Sequence, residues 1–213
     1  MDFEFSEEQV AIRDTIRELV QDKVAPRAAE IDAKSEYPQD IEKLFASNGI
    51  LGIPFPEQYG GISGSSVTIC MGIEEIAKAC ATSSLILAVQ ALGIAQAAVD
   101  ESRALLAERE PAQGDEFMLA DMATRLESAR LLAYHAAWLC SNGRQFTRQA
   151  SMAKLHCTDT AMQVALDGLQ LAGDEGTFAG SPFERHVRDA KALQIYEGSN
   201  QVQRIVIARD LLR

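Results

Sequence analysis

Apolar positions recur at helical spacing through most of this chain. Ile12, Ile16, Leu19 and Val20 mark one face of a first segment, at the three-to-four-residue interval of an amphipathic helix. Ser6 with Gln9 three residues later predicts a capping box at its start, and Phe5 and Val10 take the positions of a hydrophobic staple. A second, shorter helix is expected after Pro38. The stretch "GILGIPFPEQYGG" (49–61) breaks the periodicity with Gly and Pro and reads as loop. From Ser65 the apolar stripe resumes to about Ala81.

The segment 83–110, "SSLILAVQALGIAQAAVDESRALLAERE", predicts one long helix with Gly93 as its weak point and Pro111 as its stop. Segment 115–139 is strongly amphipathic, with Leu119, Met122, Leu126 and Ala129 on one face. Another long helix is expected over 147–172, closed by Gly173, then "PFERHVRDAKALQ" and a closing helix. No stretch alternates with period two between turns, so no substantial sheet is expected. The fold class is all-α, an N-terminal helical layer packed on a four-helix bundle.

Composition agrees with an ordinary globular chain: 47% hydrophobic and 24% charged over 213 residues. A net charge of -11 argues against nucleic acid and anionic lipid as partners. An anionic ligand would need local cations or backbone N–H groups. Cys70, Cys80, Cys140 and Cys157 lack zinc-site or CxxC spacing and read as buried free thiols in a reducing compartment. No metal site is expected. His135, His156 and His186 show no ligand-like pairing, and read as core or surface residues. The start lacks the regions of a signal peptide, and no apolar run is long enough to span a bilayer. The cytoplasm is the expected compartment, with no membrane partner.

Four stretches carry a more specific signal: "GILGIPFPEQYGG", "FMLADMAT", "FERHVRDAK" and, above all, "IYEGSNQVQRIVIARDLL" (195–212). Together they resemble the acyl-CoA dehydrogenase family. The resemblance covers nearly the whole chain and implies two helical regions of that type, 1–86 and 87–213. Members carry a β domain between them, whereas here "SSLILAVQ" runs directly into "ALGIAQAAVD". An arginine that seats CoA in the family aligns near Ser84.

The resemblance implies an FAD-dependent oxidoreductase that introduces an α,β double bond into an acyl-CoA thioester. Glu197 would be the base that removes the α-proton. Its own backbone N–H and a hydroxyl of the flavin would steady the thioester oxygen. Read by itself, Glu197 is equally a solvated acid near a helix start, where the macrodipole favours it.

Flavin contacts carry over one residue at a time. Arg109 matches an arginine that reaches the cofactor pyrophosphate from a neighbouring subunit, and Gln113 a nearby glutamine, over a shortened loop without the expected "FG". Gln170 and Gly173 match the Gln-x-x-Gly-Gly-x-Gly loop beside the adenosine half, although Asp174 replaces its second glycine. Ser199 stands for the family's threonine and Gln201 for the polar residue two further on. With Asn200 they begin the last helix, where N–H groups receive an anion or the side chains simply cap it. Arg185, Arg188, Asp189 and Lys191 resemble the family's "ERxxRDAK" and read as anion binders or as intramolecular ion pairs. The family's interfaces imply a homo-oligomer. The alternative to an enzyme is a non-catalytic helical oligomerisation or binding protein of the same descent. A third, weaker reading is cofactor-free proton transfer on a thioester by Glu197.

Overall fold

The computed structural model describes residues 5–34, 38–79, 88–196 and 198–212. Cys80, Ser84 and Glu197 lie outside the described residues. Nine helices follow in order among them: α1 (Glu7–Lys23), α2 (Ala28–Lys34), α3 (Gln39–Ser47), α4 (Ser66–Ala79), α5 (Val89–Ala107), α6 (Gln113–Ser141), α7 (Thr147–Ala172), α8 (Pro182–Leu193) and α9 (Asn200–Leu211). No strand occurs among the described residues. None of these helices is long and apolar enough to cross a membrane.

Local chemistry sets the element ends. Ser6 Oγ accepts from the Gln9 N–H at 3.2 Å, while Gln9 Oε1 accepts from the Ser6 N–H at 3.0 Å, the capping box expected from the sequence. Phe5 lies against Tyr134, with ring centroids 5.6 Å apart. The 49–61 stretch is loop with two short 3₁₀ turns, Ile50–Gly52 and Glu57–Tyr59. The helix expected over 83–110 stops at Ala107, because the Glu108 N–H already turns back to the Leu105 carbonyl at 3.3 Å.

Helices α5, α6, α7 and α8 form the four-helix bundle, with α7 against each of the other three and against α9. Helix α4 lies across α5 and α6, and α1 backs α4 from the far side. Two apolar clusters result. Ile16, Val20, Ile41, Phe45 and Ile76 belong to the N-terminal layer. Leu92, Met122, Leu126, Ala129 and Val164 belong to the bundle. Gly93, a weak point for helix propensity, has a packing reason. A Cβ there would stand 2.4 Å from Ala77 Cβ and 2.7 Å from the Glu74 carbonyl, so only glycine lets α4 and α5 approach this closely.

Layer and bundle are also joined by two adjacent buried acids on α4. Glu75 takes Arg17 of α1 in two bonds, 2.9 and 3.1 Å, and Lys78 at 2.9 Å. Glu74 takes Arg130 of α6 at 2.9 and 3.2 Å and the Tyr134 hydroxyl at 3.0 Å. Arg130 goes on to Gln96 of α5 at 2.8 Å. Burial opposes the charge on Glu75, but Arg17 and Lys78 hold its carboxyl below the usual range.

The Glu74 pair is the more enclosed, since the Arg130 side chain is 23% exposed and Arg17 43%. Removing Arg130 would leave Glu74 buried without its cation, whereas Glu75 keeps Lys78. Arg130→Met is therefore expected to cost about 3 kcal/mol of unfolding free energy, and Arg17→Met about 1 kcal/mol. Denaturant unfolding of both variants checks this; equal losses would contradict it.

Candidate functional site

The residues singled out in the sequence fall into two groups at different heights on α7. The first lies at its C-terminal end. Gly173 caps α7 with φ +62°, a backbone that favours glycine, and open space faces its missing side chain. Gln170 is exposed one turn earlier, and Asp174 is exposed beside the cap. Arg109 reaches this end from the α5–α6 link. Its Nη2 donates to the Leu171 carbonyl at 3.3 Å and to Asp115 Oδ2 at 3.2 Å. Gln113 is the exposed first residue of α6.

The second group surrounds the link from α8 to α9. Ser199 stands at the N-cap of α9, but its hydroxyl makes no capping bond. Gln201 is exposed in the first turn. Asn200 is only 4% exposed and is no simple cap. Its Oδ1 accepts from Lys154 Nζ at 2.9 Å, and its Nδ2 donates to Asp159 Oδ1 at 2.7 Å and to Thr158 Oγ1 at 3.0 Å. Thr158 and Leu171, which anchor the two groups, are separated by about 20 Å of helix at 1.5 Å per residue. One chain does not gather all the candidates at one point.

Glu197 itself lies outside the described residues, but its neighbours frame a cavity of about 460 Å³. Tyr196 and Gln203 line its mouth, and Tyr196 also donates its hydroxyl to Gln90 Oε1 at 2.8 Å. The walls are α4 through Ile69 and Cys70, α6 through Ala133, Ala136, Ala137 and Cys140, and α7 through Ala150, Ala153, Lys154 and Thr158. The alanines create the space, because small side chains at helical spacing leave a void between α6 and α7. The sequence reading missed this cavity; its signal was that alanine pattern on two amphipathic segments. It also missed Lys154, Thr158 and Asp159, which meet Asn200 from more than 40 residues away.

The cavity wall includes the thiols of Cys70 and Cys140. Cys70 and Cys157 are buried free thiols, each pushed up to about 12, chiefly by burial and then by neighbouring groups. Cys140 is a half-buried free thiol. Burial, and then the charge of Glu74, also raises the Tyr134 hydroxyl. His186 sits in the core and meets Glu101 Oε2 at 3.1 Å. Arg188 pairs with Glu184 at 2.7 Å, the intramolecular reading of that motif. Among the described residues no three His, Cys, Asp or Glu side chains could hold a metal ion.

A helical layer on a bundle, with an apolar cavity under a glutamate-bearing link, defines an all-helical pocket protein. The chain belongs to the acyl-CoA dehydrogenase family. The model of the family's C-terminal domain matches residues 71–212 and that of its N-terminal domain residues 6–104. An acyl-CoA dehydrogenase of Bacillus subtilis is 46% identical over 133 residues, 59% of this chain and 35% of that protein. The mitochondrial short-chain specific acyl-CoA dehydrogenase of Bos taurus is 45% identical over 134 residues, 60% and 32% respectively. In these alignments the chain spans about a third of the relatives' length. A short-chain specific enzyme of Clostridium acetobutylicum aligns end to end at 24% identity over 379 residues, far more than the 213 present here. This chain is thus truncated relative to full-length relatives. The fold is that of butyryl-CoA dehydrogenase from Megasphaera elsdenii, with TM-score 0.93, 21% identity and full coverage of both chains.

The Asn200 cluster generates a stability prediction. Asn200→Leu keeps the branched shape but removes the amide that Lys154, Thr158 and Asp159 share, at an expected cost of about 2 kcal/mol. Gln201→Ala, one residue on and exposed, should stay within about 0.5 kcal/mol of the parent. Chemical denaturation distinguishes the two, and a neutral Asn200→Leu would refute the assignment.

Proposed function

We propose that the chain carries the helical part of an acyl-CoA dehydrogenase site, with Glu197 as the α-proton base and the acyl chain in the α4–α6–α7 cavity. The observation that supports this most is the coincidence of motif and space. The residues on either side of Glu197 in the last motif, Tyr196 and Gln203, line the one-sided apolar cavity of about 460 Å³. Apolar walls of this kind would shield a bound acyl chain on one side, the surroundings in which a carboxylate can act on a weak carbon acid. In the reaction the thioester loses its α-hydrogen as a proton to the Glu197 carboxylate and its β-hydrogen as hydride. FAD, when bound, supplies the hydride acceptor.

The donor chemistry fits that cofactor. The Ser199 hydroxyl, which makes no bond to its own helix, and the first-turn N–H groups of α9 suit polar and anionic atoms. Gln201 stands beside them. Arg109, whose bonds among the described residues run through Nη2 to Asp115 and Leu171, adds a cation at the other end of α7, next to Gln170, Gly173 and the end of the Gln113 helix. The distance between the groups favours Arg109 and Gln113 serving a cofactor held by the Ser199 group of a second copy. We place the division between the N-terminal and C-terminal regions at 86/87, between α4 and α5.

Absorbance of the purified protein with added FAD, and deuterium exchange at the α-carbon of a short acyl-CoA, test this reading. A bound-flavin spectrum that bleaches with substrate, and exchange that falls about 10²–10⁴-fold in Glu197→Gln, are expected. Exchange unaffected by Glu197→Gln would remove the base assignment. A second reading, a non-catalytic helical module of the same descent, is favoured by the exposed carboxylate of Asp174 where the family has glycine. Absence of both flavin uptake and α-carbon exchange would select it.

Either reading implies an assembly of copies. Helix α9 exposes Val202, Ile205 and Leu211, with Leu212 just beyond it 88% exposed, an apolar surface that invites cover. Light scattering at micromolar concentration is expected to give a dimer or larger species. A monomer would overturn this.

A further inference from the structure

The segment 194–200 joins α8 to α9 and carries Glu197 between Tyr196 and Gly198. Its two ends meet, since the Asn200 N–H donates to the Gln194 carbonyl at 3.1 Å. The side chains at those ends then converge on a single atom. Gln194 Nε2 and Asn200 Nδ2 each donate to Asp159 Oδ1 at 2.7 Å. Both are short bonds to an ionised acceptor, the stronger kind of neutral-donor contact. The second oxygen, Oδ2, meets Arg204 Nη2 only at 3.4 Å, and that guanidinium is 56% exposed. Such a surface pair contributes little, so the amide bonds at Oδ1 carry the contact.

Asp159 is also well placed to transmit position. Its neighbours on α7, Thr158 and Lys154, bond Asn200 as well and line the cavity. The loop mouth is therefore fixed to the helix that forms the cavity wall. From α9, Gln203 Nε2 donates to the Gly198 carbonyl of the loop at 3.2 Å, and the Tyr196 hydroxyl donates to Gln90.

We propose that Asp159 is a positioning residue: by accepting from both ends of the 194–200 loop it orders the link that carries Glu197. The catalytic consequence rests on the reading of Glu197 as the base; the ordering of the loop does not. Three variants separate the contributions. Asp159→Ala removes the shared acceptor. Asp159→Asn keeps an Oδ1 acceptor and loses the charge that faces Arg204. Gln194→Ala removes one arm.

The first measurement is backbone hydrogen exchange by mass spectrometry on the full chain. Asp159→Ala should exchange residues 195–200 about tenfold faster than the parent, with α5 and α6 unchanged. Asp159→Asn should stay within about threefold of the parent. Parental protection of the loop in Asp159→Ala overturns the proposal. If that variant does not fold, Gln194→Ala decides: a smaller rise confined to the same segment supports the proposal and no rise overturns it. The second measurement is α-carbon deuterium exchange of a short acyl-CoA. Asp159→Ala should lower kcat about tenfold or more with KM nearly unchanged, and Asp159→Asn should restore it. A change in KM alone overturns the positioning role. A parent protein without α-carbon exchange defeats the functional reading, and hydrogen exchange still decides the loop.

Discussion

Two adjacent carboxylates on α4, Glu74 and Glu75, face different neighbours and are both buried. The rest of the molecule is arranged around that fact. Successive residues on a helix point about 100° apart, so one acid addresses the N-terminal layer and the other the bundle. Burying either charge alone is costly, and each is compensated by guanidinium groups with well-directed bonds. The attachment of α1 to α4, and of α4 to α6, is thereby specific in register as well as apolar. A slip of one helix along another would leave a buried acid without its cation, which purely apolar packing would not penalise as sharply.

That register is what leaves a cavity where it is. With α4 held to α6 by Glu74 and to α5 by the close approach at Gly93, the small side chains of α6 and α7 face each other across a gap they cannot fill. Native cores rarely tolerate such voids. Here the void is lined by alanines rather than by a misplaced large residue, so it belongs to the design of the interface and not to a packing fault. Burial holds the Cys70 thiol in its wall protonated, which keeps that part of the surface apolar and unreactive.

The helices were legible because an amphipathic segment must repeat its apolar face every three to four residues, and caps such as Ser6–Gln9 are local. The same holds for the loop at 49–61. What was not legible depends on partners distant in sequence. Nothing in "MGIEEIAKAC" marks Glu74 and Glu75 as buried, since adjacent acids on a helix usually face water. Asn200 looked like a cap because its local context is a helix start, yet its side chain is claimed by α7. The last motif pointed to Glu197 as a candidate base; the cavity lined by Tyr196 and Gln203, and Asp159 at the two ends of the link, emerged only once α7 was packed against the α8–α9 link. The long helix expected from 83 illustrates the remaining case, since its first residues lie outside the described ones.

Sequence matching treated Arg109, Gln113, Gln170, Gly173, Ser199 and Gln201 as a single cofactor set. A single continuous helix, α7, separates them, and a helix is rigid over this length. It cannot fold to bring its two ends together, so a ligand that uses both groups must be extended along α7 or shared between copies. The charges lean toward sharing. Asp174 and Asp115 stand with Arg109 at one end, leaving the cation partly answered within its own chain. At the other end the first-turn N–H groups of α9 and the Ser199 hydroxyl offer donors, with Asp159 bonded to the Asn200 side chain and to Arg204. On the proposed reading, Arg109 would complete the site where a second copy brings it near. The exposed apolar residues of α9 begin at Val202, directly after that donor group, so the surface that would draw copies together adjoins the atoms they would share.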